Sequence, residues 1–267
     1  MAEDSFTIHT QTVGDSGETV VFFAGLFGQG KNFTQIAKEL TPDFQSVLVD
    51  LPNHGSSSWT QSFDYPGHAD LVAEHLRATV ASDEPVHLVG HSLGGKVAMV
   101  LALRHPDLLA SLTVVDISPI THDSGGEFEH LLGTLMELNV DDLESRSDAD
   151  QRLQEPIPQD MTRGFLLQSL ARTKDGFQWK PNLELLYESL PAIAEFPEFD
   201  DEQYNGPVLW VAGSKSDYIK DEYADTMREL FPRTTQTTVK NSGHWVHAEQ
   251  ADVFTAVLKR FLSSAGG

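Results

Sequence analysis

The sequence predicts an α/β protein, a mostly parallel, doubly wound sheet interrupted by a helical insertion. Three observations carry this. Short apolar runs alternate with helical stretches up to Asp116, no strand pattern is evident over residues 118–206, and the alternation resumes at Pro207. Short continuous apolar runs between helices are the mark of strands buried on both faces, which parallel sheets require.

Taken in order, Glu18 to Gly25 (ETVVFFAG) is a buried strand ending in glycine. A polar helix over about 32–40 and a strand from Gln45 to Asp50 follow. His68 to Val80 is an amphipathic helix, with Leu71, Val72, His75, Leu76 and Val80 on one face. Val86 to Gly90 is a strand, Lys96 to His105 a helix apolar almost all round, and Ser111 to Asp116 a strand. Within the insertion, Leu131 to Leu138, Met161 to Ala171 and Leu183 to Ile193 read as helices. The chain then returns to a strand over Pro207 to Ala212 and a helix over Asp221 to Phe231. It closes with a strand over Thr235 to Lys240 and a helix over Val246 to Leu262. The expected organisation is a core of residues 1–117 and 207–267 with a cap, or lid, over 118–206.

Composition excludes several functions. With 18 Lys and Arg against 40 Asp and Glu, the formal charge is −22. Such a chain is repelled by phosphate backbones and anionic lipid, so neither a nucleic-acid nor a membrane partner is expected. No cysteine is present, which removes disulfides, thiolate nucleophiles and Cys-ligated metals. The first five residues are acidic and show no apolar leader, and no apolar run reaches membrane-spanning length. The expectation is a cytoplasmic monomer or homodimer. Residues 118–206 carry 19 acidic and 6 basic side chains. Cap packing or substrate entry is therefore expected to respond to salt, and neutral substrates to be preferred over anionic ones.

The strongest local signal is Gly90-His91-Ser92-Leu93-Gly94-Gly95, a G-x-S-x-G pattern between a buried strand and an apolar helix. A serine on such a turn presents its hydroxyl above the sheet edge. The N–H of Leu93 lies at the helix start, where developing negative charge is favoured. A serine needs a base. His244 sits between the last strand and the last helix, at the same carboxyl edge of the sheet; His54 is the reserve. His91 adjoins the serine and reads as shaping the turn. His9, His68, His75, His87 and His105 read as packing residues, and His247 as a helix-face residue.

These pieces together resemble the α/β-hydrolase superfamily, in particular its small bacterial serine esterases with an Asp-Ile-Ser-Pro segment and their mitochondrial relatives. The resemblance covers essentially the whole chain. It rests on Ala24-Gly25-Leu26-Phe27-Gly28, residues 50–56 (DLPNHGS), the serine turn, Val115-Asp116-Ile117-Ser118-Pro119 and residues 243–249 (GHWVHAE). It implies hydrolysis of acyl esters, no cofactor, no metal, and a helical cap between the sixth and seventh strands of the family. It also implies an oxyanion hole from the backbone N–H groups of Leu26 and Leu93. Where the family usually has His-Gly after the third strand, this chain has Ala24-Gly25.

Two aspartates compete to orient His244. Most of the family carries the acid three residues beyond a Gly after a late strand. Here that column holds Ser216, with Asp217 one residue on. The Asp-Ile-Ser-Pro branch takes its acid from the earlier strand, which favours Asp116, with Ser216 beside the His–Asp pair. Phe27, His91, Trp179 and Trp245 are candidate substrate contacts. Phe128, Leu131, Leu132, Leu135, Phe165, Leu166, Trp179 and Leu186 either build the acyl pocket or seat the cap. Competing functions are an acyl thioesterase on coenzyme A or carrier-protein substrates, and a weakly catalytic ligand receptor.

Overall fold

The computed structural model describes residues 6–82, 84–122 and 126–266. The reading of the first five residues as lacking a leader lies outside them. The elements run β1 (Thr10–Val13), β2 (Glu18–Phe23), α1 (Thr34–Leu40), β3 (Phe44–Val49), α2 (Tyr65–Ala78), β4 (Val86–His91), α3 (Leu93–Arg104) and β5 (Leu109–Val115). Next come α4 (Glu127–Glu137), α5 (Arg146–Leu153), α6 (Asp160–Leu167), β6 (Leu170–Arg172), β7 (Phe177–Trp179), α7 (Leu183–Glu188) and α8 (Leu190–Ala194). The chain closes with β8 (Val208–Gly213), α9 (Ala224–Leu230), β9 (Thr234–Val239), α10 (Val246–Glu249) and α11 (Ala251–Ala265).

The main sheet has seven strands in the order β1-β3-β2-β4-β5-β8-β9. All neighbours are parallel except β1, which runs antiparallel to β3 at one edge. Two apolar clusters cover the two faces, one around α2 and α3, the other around α1 and α11. α3 is buried along eleven consecutive residues, Leu93 to Leu103, as its all-round apolar sequence requires. From β2 the chain steps to β3 on one side and from β4 to β5 on the other. The carboxyl ends of β2 and β4 therefore flank the switch point where parallel sheets open a crevice.

The insertion leaves the sheet after β5 and returns at β8, the fifth and sixth main-sheet strands in chain order. Its interior differs from expectation in three ways. Residues 118–206 do contain strands: β6 and β7 form a two-stranded antiparallel ribbon, too short to show a sequence period. α5 lies where no helix was expected; it is polar, and starts with Ser145 accepting a bond from the Asp148 N–H. The single helix expected over 183–193 is two, α7 and α8, because Pro191 has no N–H to continue the first. In the core, the polar edge strand β1 was not anticipated, and the final helix is divided at Gln250.

The insertion is fastened by buried polar contacts. The Tyr65 hydroxyl donates to the Ile193 carbonyl at 2.7 Å. The Lys96 ammonium, on α3, donates to the carbonyls of Ile193, Ala194 and Glu195 at 3.3, 2.6 and 2.8 Å. The Ser169 hydroxyl donates to the Phe27 carbonyl at 2.8 Å. Among the described residues no ion pair crosses from 118–206 to the rest of the chain. The seam therefore offers salt little to screen, despite the acidity of the insertion.

At the end of β3, the buried Asp50 accepts from the N–H groups of Gly30 and Ser56 at 2.8 Å each and from His9 at 3.0 Å. It clamps the loop after β2 to the loop after β3. Asp50→Ala leaves two backbone donors unsatisfied. It is expected to lower unfolding free energy by about 3 kcal/mol in urea titration; a loss under about 1 kcal/mol would show that these N–H groups find other partners.

Candidate active site

Ser92 lies on the turn between β4 and α3 with φ 53° and ψ −122°, a conformation an L-residue holds only when its surroundings enforce it. Its N–H donates to the Val115 carbonyl at 3.1 Å. A Cβ on Gly94 would lie 2.4 Å from the Ala24 carbonyl oxygen, so only glycine lets α3 press against the end of β2. That contact brings the Ala24–Gly28 loop to the serine. Leu26 and Leu93 are both buried there, and both border cavities that Ser92 borders.

Asp116, just beyond β5, is fully buried and has φ 51°. His244 Nδ1–H donates to its Oδ2 at 2.9 Å, and the Gly213 N–H to its Oδ1 at 2.8 Å. The Ser216 hydroxyl also donates to Oδ2. A Cβ on Gly213 would come within 2.1 Å of the Gly243 carbonyl oxygen, so this position too must be glycine for the His244 loop to close on β8. Asp217 is exposed on the surface, apart from this cluster. His54 is buried elsewhere, its Nδ1 on the Pro52 carbonyl at 3.0 Å.

Ser92 and His244 border one cavity of about 20 Å³, together with Phe27, His91, Phe128, Leu131, Phe165, Leu166 and Trp245. Three of the four candidate substrate contacts are thus at the cavity. Trp179 is not: it lies on β7 and its indole N–H donates to the Leu135 carbonyl at 3.1 Å, fastening the ribbon to α4. Leu132, Leu135 and Leu186 belong to the packed interior rather than the cavity. His91 borders the cavity, but its Nε2–H is committed to the His244 carbonyl at 2.8 Å, so it holds the His244 backbone in place.

Four groups at the site escaped sequence reading. The Tyr218 ring lies 4.3 Å from the His244 ring, and burial pushes its hydroxyl up to about 12. His122 bonds to the Ser118 hydroxyl through Nε2 at 3.0 Å, and burial brings it down to about 4. Lys96 was read as part of an apolar helix, yet its nitrogen borders a second cavity shared with Ser92, and burial lowers it to about 7. His247, read as a helix-face residue, is buried, stacked on Phe33 at 4.7 Å and edge-on to His91 at 4.5 Å. Its only sequence signal was its distance from His244. Among the described residues no group of three His, Asp or Glu is placed to hold a metal ion, and no helix is long and apolar enough to cross a membrane.

Ser92 thus shares a cavity with an imidazole anchored on a buried carboxylate, the parts from which a serine hydroxyl can be activated. The family described as alpha/beta hydrolase fold matches residues 18–251. A mouse protein named sn-1-specific diacylglycerol lipase ABHD11 is 33% identical over 252 residues, covering 91% of this chain and 80% of that protein. Esterase YbfF of Escherichia coli is 27% identical over 244 residues, covering 91% and 92%. A solved structure titled as a marine microorganism esterase superposes with a TM-score of 0.92 at 30% identity, covering 96% of this chain and 100% of that one.

Burial, then the nearby His244, brings His247 down to about 3, whereas an unfolded histidine titrates near 6.5. Below pH 6.5 the unfolded chain takes up a proton the folded chain refuses, so stability falls as pH drops from 6.5 towards 3. At pH 5 one such group costs about 2 kcal/mol. His247→Phe keeps the stacking surface and removes the titration. Its loss of Tm between pH 7 and pH 5 is expected to be smaller than that of the parent; equal losses would mean the ring takes up a proton in the folded state.

Proposed function

The chain belongs to the alpha/beta hydrolase family and is a carboxylic ester hydrolase, and on that premise we propose a serine carboxylesterase that acts on small to medium acyl esters through an acyl-enzyme. Ser92 is the nucleophile, His244 the general base and Asp116 the acid that fixes its tautomer, with Ser216 and Gly213 holding Asp116. The observation that carries the reading is the 2.9 Å His244–Asp116 bond beside a cavity that His244 and Ser92 share. Residues 118–206 act as the cap over a core of 1–117 and 207–267. The charge of −22 supports a role without nucleic-acid or membrane partners.

In this reading the reaction runs in two halves. His244 Nε2 takes the Ser92 proton as Oγ attacks the carbonyl carbon. The N–H groups of Leu26 and Leu93 hold the oxyanion, each contributing about 3 kcal/mol to the barrier reduction. His244 hands the proton to the departing alcohol. A water deprotonated by His244 then releases the carboxylic acid and restores Ser92. The buried Asp116 carboxylate stabilises the imidazolium formed in each half.

A thioesterase on coenzyme A or carrier-protein substrates is the second reading. One observation favours it: Lys31 borders the outer groove near Lys180 and Arg146, whose charges, after burial, lower its ammonium. These cations locally oppose the acidity of the cap.

Labelling with a fluorophosphonate probe is expected in the parent and absent in Ser92→Ala. Asp116→Asn is expected to lower kcat about 10⁴-fold, while Asp217→Asn leaves it within about threefold, as for an exposed side chain. A larger loss at Asp217 would transfer the acid role to it. In parallel, kcat/KM for p-nitrophenyl esters is expected to exceed that for acyl-coenzyme A of the same chain length; the reverse order selects the thioesterase.

A further inference from the structure

Ser92 borders two cavities. Of these two, His244, His91, Phe165 and Trp245 border only the first; Lys96, Ile117, Leu190 and Ile193 border only the second. The mechanism above assigns them unequal tasks. In acylation the Ser92 Oγ–carbon bond forms and the ester carbon–oxygen bond breaks, and the alcohol leaves with the Ser92 proton relayed by His244. In deacylation, water must stand beside the same imidazole. Both the leaving group and the water therefore need the His244 side, the first cavity. The acyl chain has to extend the other way.

Resting on the serine-esterase reading, the geometry points to the second cavity as the acyl pocket, restricted to short aliphatic acyl groups, with Leu190 and Ile193 of α8 setting the length limit. Its volume is about 60 Å³, room for about four or five water-sized groups. That accommodates an acetyl to butanoyl chain. Its far wall is fixed: Tyr65 and Lys96 clasp the α8 carbonyls at 2.6 to 3.3 Å. Those donors are spent within the protein, and beside the His122 and Tyr218 rings the pocket offers a substrate mainly the apolar surface of Leu26, Leu93, Ile117, Leu190 and Ile193. The first cavity is itself smaller, about 20 Å³, but its wall is shared with a wider groove. Asn32, Thr162, Phe165, Trp245 and His247 border both the first cavity and an outer groove of about 610 Å³. The preferred substrate is thus a short acyl ester of a larger alcohol.

Two ester series separate the sides: p-nitrophenyl esters from acetate to dodecanoate, and acetate esters of alcohols from ethanol to octanol. The acyl series is expected to lose about tenfold or more in kcat/KM between butanoate and octanoate, while the alcohol series varies by about threefold or less. Leu190→Ala and Ile193→Ala are each expected to move the acyl optimum to longer chains and leave the alcohol profile in place. Ala194→Leu, which fills the same pocket, shifts the optimum shorter and keeps the test open if truncation unsettles α8. A flat acyl profile with Ser92 still labelled by the fluorophosphonate overturns this inference alone. So does an acyl profile that moves with Phe165→Ala but not with the α8 variants. Absence of both labelling and turnover removes the serine-esterase reading, and this one with it.

Discussion

A carboxylate with no exposed surface must be satisfied from within, and Asp116 is that carboxylate. An unpaired charge there would cost several kcal/mol. Three donors meet it: the Gly213 N–H from the end of β8, the Ser216 hydroxyl just beyond, and His244 Nδ1–H from the loop after β9. Two separate segments, the end of β8 and the loop after β9, are therefore held to one pair of oxygens at the end of β5. The left-handed backbone at Asp116, the glycine at 213 and the break between β9 and α10 are local concessions to that convergence. Ser92 is tied to the same strand end, since its N–H bonds to the carbonyl of Val115, the residue before Asp116.

The legible part of the sequence is the part in which burial is two-sided. β2, β3, β4, β5 and β8 are mostly apolar and mostly buried because both faces of a parallel sheet are covered. The strand–serine–helix turn is legible because close approach demands glycine at fixed offsets. What was not legible is what draws stability from long-range contacts. β1 is a polar edge strand whose only signal is its pairing with β3. The β6–β7 ribbon has three residues per strand and no period to detect. Lys96 was hidden because its neighbours are apolar, and its partners are main-chain carbonyls 97 to 99 residues away. Trp179 looked like a cavity aromatic because its type suits one, but its indole had a structural carbonyl to satisfy.

The distribution of charge shows a similar division. Much of the excess acid lies in helices and loops on the outside of the insertion, while the seam beneath relies on hydroxyl and ammonium donors to carbonyls. Solvated carboxylates cost little and need no partner. Buried histidines behave the opposite way. His91, His122 and His247 surround the catalytic candidate in neutral form, depressed chiefly by burial. A ring of uncharged imidazoles supplies polar anchoring around His244 without competing cations. The His91 bond to the His244 carbonyl is one such anchor.

Lys96 stands one helical turn beyond Ser92, and its N–H donates to the Ser92 carbonyl at 3.0 Å. The residue that props the Ser92 turn is therefore the one that grips the end of α8. Swinging α8 away would strand an ammonium in an apolar interior and loosen the first turn of α3 together with it. α3 and α8 are joined through this one side chain, and their amides should exchange with solvent through one shared opening rather than two.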